Sequence, residues 1–230
     1  MKKFLVGTAL VLALCSSAFS YSYTAYAFTT GKQTLAVVPF LYAFQIDKDL
    51  YGGGDMSASY GITDQIDIFA DVNYLYGAGA GITGWYGMLR YDFGDTKILA
   101  LKANNIYVSP QFHYLVENDK CGFQANAAAQ ITYAYVKSPA FFGVLCPHYK
   151  LTKWMDIFCE VNPCYATLDG DVVGGWVRPQ GFGLDVVPGI GLKISPELLF
   201  SLAVPIYDVN HKATPTFGMW GLYIINFGKK

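Results

Sequence analysis

The chain has 230 residues, and only 14% of them are Asp, Glu, Lys or Arg, well below the roughly 25% of ordinary soluble domains. Aromatic residues make up 17%, and the formal net charge is -1. This composition excludes a disordered chain, which is polar and poor in aromatics. It also excludes a nucleic-acid binder, which needs a basic surface against phosphate.

Residues 1–27 read as a secretory signal peptide. Lys2 and Lys3 precede an apolar run from Phe4 to Cys15, and Ala25-Tyr26-Ala27 supplies an A-x-A end. The run is shorter than the about 20 residues that a membrane helix needs. Cleavage is expected after Ala27, with Ser20 as the second choice. Leu14 stands before Cys15, where a lipoprotein carries a small residue, so Cys15 is not read as a lipid site. Removing Lys2 and Lys3 takes 16 basic residues to 14 against 17 acidic, a mature net charge of -3.

No later segment reads as a membrane helix. The apolar stretch Ala36 to Phe44 is short and contains Pro39. An exported, apolar chain of this kind is either a soluble β-sandwich or a closed membrane barrel, because lipid admits only helices and closed barrels.

Twelve strands are predicted, in chain order Thr34–Ile46, Leu50–Ile62, Ile66–Tyr76, Thr83–Phe93, Ile98–Lys102, Ile106–Val116, Gly122–Val136, Phe141–Leu151, Met155–Leu168, Gly181–Ile194, Leu198–Asp208 and Pro215–Phe227. The 203 mature residues give about 17 per strand with its turn, room for a membrane strand of about 9–11 residues. The fifth strand needs a reversal at Ala103-Asn104-Asn105, which Asn tolerates; without it the count is ten.

Ile66–Tyr76 shows the pattern best. Ile66, Ile68, Ala70, Val72, Tyr74 and Tyr76 share one apolar face, and Asp67, Phe69, Asp71, Asn73 and Leu75 share the other. Period two means a strand, and in a barrel the apolar face meets lipid while the acids line the lumen.

The hairpin recurs. Residues 60–74 and 149–163 agree at seven of fifteen positions, and a looser third copy starts at Lys193. Repeats of one hairpin fit an up-and-down meander. Thr63-Asp64-Gln65, Gly94 to Lys97, Glu117 to Lys120, Thr152 to Trp154 and Ser195 to Glu197 are short connections. Gly77 to Ile82 and Asp169 to Gln180 are longer. Short periplasmic turns and longer outer loops are the outer-membrane pattern.

The final strand alternates from Thr216 to Phe227, with Gly228-Lys229-Lys230 after it. Here the chain resembles bacterial outer-membrane barrels, many of which end in such a strand with a terminal Phe. The hairpin Tyr60 to Val72 is similar to the transporters of the meta-pathway phenol-degradation family. The resemblance implies an all-β, up-and-down antiparallel transmembrane barrel at residues 28–230, seated in outer-membrane lipid.

The predicted lumen-facing charges are Asp67, Asp71, Arg90, Lys150, Asp156, Glu160, Asp185 and Lys193. They line either a water-filled path for a small solute or a lumen closed by ion pairs. His113 and Ser109 share a face but lie four residues apart, roughly 13 Å along a strand. That is too far for a nucleophile–base pair, so no catalytic residues are assigned. Cys121, Cys146, Cys159 and Cys164 lack metal-ligand spacing and are expected to be mostly free thiols. Cys146 is expected opposite Glu160. No metal and no cofactor is expected. Gly79 to Gly84 matches G-x-G-x-x-G, but a strand follows instead of a helix, so Gly77 to Gly84 reads as a flexible outer loop.

The expected function is a pore or transporter that passes small solutes by passive diffusion. The alternative is a structural or interaction barrel with a plugged lumen and no transport. Nothing in the sequence names the solute or sets an oligomeric state.

Overall fold

The computed structural model describes residues 30–227, apart from short stretches at 47–48, 77–80, 96, 105–106, 134–137, 170, 174–175, 196, 208 and 212–213. The expected signal peptide lies outside the described residues. No helix occurs among them. The strands are β1 Thr34–Ile46, β2 Asp49–Gly61, β3 Ile66–Tyr76, β4 Gly81–Asp92, β5 Lys97–Ala103, β6 Tyr107–Glu117, β7 Cys121–Thr132, β8 Ser138–Lys150, β9 Met155–Ala166, β10 Asp171–Val173, β11 Trp176–Arg178, β12 Gly181–Ser195, β13 Leu198–Ala203, β14 Ile206–Tyr207 and β15 Thr214–Asn226.

Each wall strand pairs antiparallel with the next, and β15 returns to β1 from Thr34–Asn226 to Phe44–Thr216. The wall is therefore a closed, up-and-down barrel of twelve strands, counting β13 and β14 as one. The fifth strand is present, so the ten-strand count falls away. Its reversal closes where Asn104 N donates to Tyr107 O at 3.1 Å and Tyr107 N donates to the Asn104 side chain at 2.9 Å.

Three details differ from the sequence reading. The predicted strand Leu198–Asp208 is split after Ala203, because Pro205 has no N–H for the ladder; Val204 N bonds across to Pro188 O instead. The Asp169–Gln180 connection carries its own small hairpin, β10–β11. Gly81 to Gly84 belong to β4, not to an outer loop.

The repeated sequence produces a repeated turn. Between β2 and β3, Ile62 N and Thr63 N donate to Ile66 O, and Gln65 N donates to the Thr63 hydroxyl at 3.1 Å. Between β8 and β9, Leu151 N and Thr152 N donate to Met155 O, and Trp154 N donates to the Thr152 hydroxyl at 3.2 Å. In the third copy Ser195 takes the same part, accepting from Glu197 N at 3.2 Å. A hydroxyl that caps the N–H two residues on is what makes Ser and Thr turn residues.

These turns share one end of the barrel, and Phe227 N bonds to Gln33 O at the same end. The opposite end is not uniformly long: Ile46 pairs with Asp49 across only two residues. The length contrast rests mainly on the segment that holds β10–β11.

Outward faces are apolar and layered by residue type. Tyr60, Tyr91, Phe93, Tyr149, Trp154 and Phe227 are exposed near the turn end. Trp85, Tyr133, Phe141, Tyr165, Phe182 and Phe217 are exposed toward the other end, with Ile68, Leu89, Leu101 and Leu145 between. Eight residues separate Phe141 from Tyr149 on β8, roughly 26 Å at about 3.3 Å per residue. A tilt of about 40° shortens that to roughly 20 Å, close to the ~25 Å band between aromatic girdles of outer-membrane barrels. A soluble sandwich would bury this surface. The purified chain is therefore expected to fold only with detergent or lipid and to shift mobility between unheated and boiled SDS samples. Folding as a soluble monomer in plain buffer would reject the membrane reading.

Candidate functional site

The alternation that turns Ile68 and Val72 outward turns Asp67, Phe69 and Asp71 inward, and all three are buried. Antiparallel register sets Asp67 directly opposite Arg90 on β4. The guanidinium grips the carboxylate twice, Nε to Oδ1 at 2.7 Å and the second nitrogen to Oδ2 at 2.5 Å. Both side chains are at most 1% exposed. Arg90 also donates to the Ser59 hydroxyl at 2.9 Å, and Thr30 N and Oγ1 donate to Asp67 at 2.7 and 2.8 Å. A buried charge needs this many partners to offset its lost hydration.

Asp71 accepts from the Ser57 hydroxyl. Glu160 accepts from Asn162 Nδ2 at 2.5 Å, and Asp185 is fully buried opposite Asn162. Flanking pairs Leu145–Val161 and His148–Phe158 set Cys146 across from Glu160, as alternation predicts. Cys121, Cys146, Cys159 and Cys164 form no disulfide among the described residues. His113 is held by the Asn126 amide at 3.1 Å, while Ser109 accepts from Gln111 at 3.4 Å. No group of three His, Cys, Asp or Glu that could hold a metal occurs among the described residues.

The interior is two-sided. Most of the charged and amide side chains above crowd β2 to β7, while Glu160, Asn162 and Asp185 carry the polar lining onto β9 and β12. Across from them Phe142, Val144, Cys146, Phe158, Val187 and Tyr207 form a continuous apolar cluster on β8 to β14.

Lys150, Asp156 and Lys193 lie elsewhere. The sequence reading placed them on the same inward faces as the deep acids, but they stand at the turn end, where the strands run out. There they line a cavity of about 400 Å³ together with Glu117, Asp119, Gln124 and His148. The closed-lumen alternative pairs a lumen acid with Lys150. Its ion-pair partner is Glu117 of the β6 hairpin, and it donates to Asn118 O at 3.0 Å. Lysine is long enough to reach a neighbouring turn, and alternation fixes the face of a side chain but not its reach. Gly122 leaves room for the His148 ring opposite, since a Cβ there would collide with two of its atoms.

Sequence reasoning missed Lys102, whose ammonium sits 3.6 Å from the Tyr86 ring centre. It shares a face with Ile98 and Ala100 at the end of a predicted strand, so alternation alone would have found it. Gln124, Glu117 and Lys153 carry no such signal. Their meeting depends on three hairpins coming together around the barrel.

No protein-family model matches the chain, and no curated protein matches it. Solved structures do. The fold is similar to an outer membrane channel from Pseudomonas putida F1, with a TM-score of 0.52, 10% identity, and coverage of 91% of this chain and 100% of that one. A double variant of OccD1 (OprD) aligns over 92% of this chain and 100% of that one, at 10% identity and a TM-score of 0.34. At this identity the first likeness shows the fold alone: a bacterial outer-membrane type of barrel.

Proposed function

We propose that the chain is an outer-membrane barrel that passes small solutes by passive diffusion. The observation that carries this reading is an interior lined on one side by charged and amide side chains, with a cavity of about 400 Å³ at the turn end. A lipid-facing band and a polar interior are the division that lets a barrel carry water and solute through a bilayer. The likeness of the Tyr60 to Val72 hairpin to phenol-degradation transporters points the same way. No catalytic step is part of this reading, since Ser109 and His113 have other partners.

The second reading is a structural barrel with a closed lumen. The Arg90–Asp67 clasp favours it, because a pair this buried fills space as well as balancing charge. Single-channel recording of refolded protein in a planar bilayer separates the two. Discrete current steps are the expected result; a silent bilayer with correctly folded protein would overturn transport and leave the closed barrel.

A further inference from the structure

We propose that the turn-end cavity is a binding site for a small zwitterion, a solute carrying one ammonium and one carboxylate close together, such as a free amino acid. Lys150 and Glu117 are already paired with each other. The charges left around the cavity are Lys153 and Lys193 against Asp119 and Asp156. Two of each sign leave no net field to gather simple anions or cations. They leave a local separation of charge, which a molecule with its own opposed charges can match. Asp156 pairs across with Gly191, two residues from Lys193 on β12, and both side chains line the same cavity, so donor and acceptor face one small ligand.

A second observation points into the same space. Gln124 is 5% exposed, lines the cavity, and its Nε2 has no hydrogen-bond partner among the described residues. A buried amide donor left unsatisfied is costly, and a ligand carboxylate would accept from it. In this arrangement Asp156 accepts from the ligand ammonium, while Lys193 and Gln124 donate to its carboxylate. The volume suits a small molecule, since ligand pockets run from about 300 to 1,000 Å³.

The proposal deepens the transport reading and rests on it for its role, but its test does not need current to flow. Refolded protein in micelles is titrated with L-alanine, propionate and ethylamine, and binding is followed by saturation-transfer NMR. Alanine should bind about tenfold more tightly than either half-ligand, because only it engages both charge-assisted contacts. Asp156→Asn should weaken alanine about tenfold and leave propionate unchanged. Lys193→Gln should weaken alanine and leave ethylamine unchanged. Lys97→Gln, at the start of β5 and outside the cavity lining, should change nothing. If Asp156→Asn fails to fold, Lys193→Gln at the exposed mouth still decides. Propionate binding as tightly as alanine would make the site a simple anion site and overturn the proposal. So would alanine binding that neither variant weakens, or no binding at all. Alanine binding in a barrel without conductance would remove transport and keep the site; conductance without binding would do the reverse.

Discussion

Arg90→Met should destabilise the folded barrel by about 3–5 kcal/mol, the usual cost of breaking a buried ion pair by removing one partner. The loss is large because Asp67 stays behind, fully buried and without its cation. Ser59 and Thr30 would still hydrogen-bond to it, but no cation would remain beside it. Urea titration in lipid vesicles, followed by aromatic fluorescence, measures the difference. Adding Asp67→Asn should recover part of the loss, since the uncompensated charge is then gone. A single-variant cost below about 1 kcal/mol would mean that water reaches the pair freely. The lumen would then be wetter at that depth than the geometry implies.

Leu145→Arg should cost about 2–4 kcal/mol in the same assay, while Tyr149→Arg should cost about 0–1. Both side chains are on the outward face of β8, and they differ in depth. Leu145 sits in the aliphatic band, where a cation must shed its hydration or drag water inward. Tyr149 lies one residue from the strand's end, where arginine can reach the headgroups. Equal penalties would show that the membrane does not sit where the aromatic layers place it.

Most of the wall was legible in the sequence because most of its strands run for more than ten residues in period two. Ile66–Tyr76 is the plainest case: its register and facing follow from alternation alone. The short β5 was legible only through its turn, since Asn104 supplies both a backbone donor and a side-chain acceptor to close it. What escaped was what alternation does not encode. The break at Pro205 needed the position of Pro188 on the neighbouring strand. The depth of Lys150 needed the reach of a flexible side chain toward Glu117. The turn-end cavity needed the β6, β8 and β12 hairpins set side by side with their turn side chains in place, and alternation within one strand does not supply that. Arg90 and Asp67 stand between these cases: each face was readable, and their pairing follows once β3 and β4 are in register.

Because the turns after β2, β8 and β12 are built alike around one hydroxyl, the hairpin is an interchangeable module of the wall. Each wall strand bonds only to its two neighbours. A module gained or lost between two such turns would change the girth by two strands and disturb one seam on either side. The number of strands would stay even, and Thr34 and Asn226 would stay on the same rim. An ancestral gene could therefore widen or narrow this barrel by copying or deleting about thirty codons, without redesigning the strands it kept.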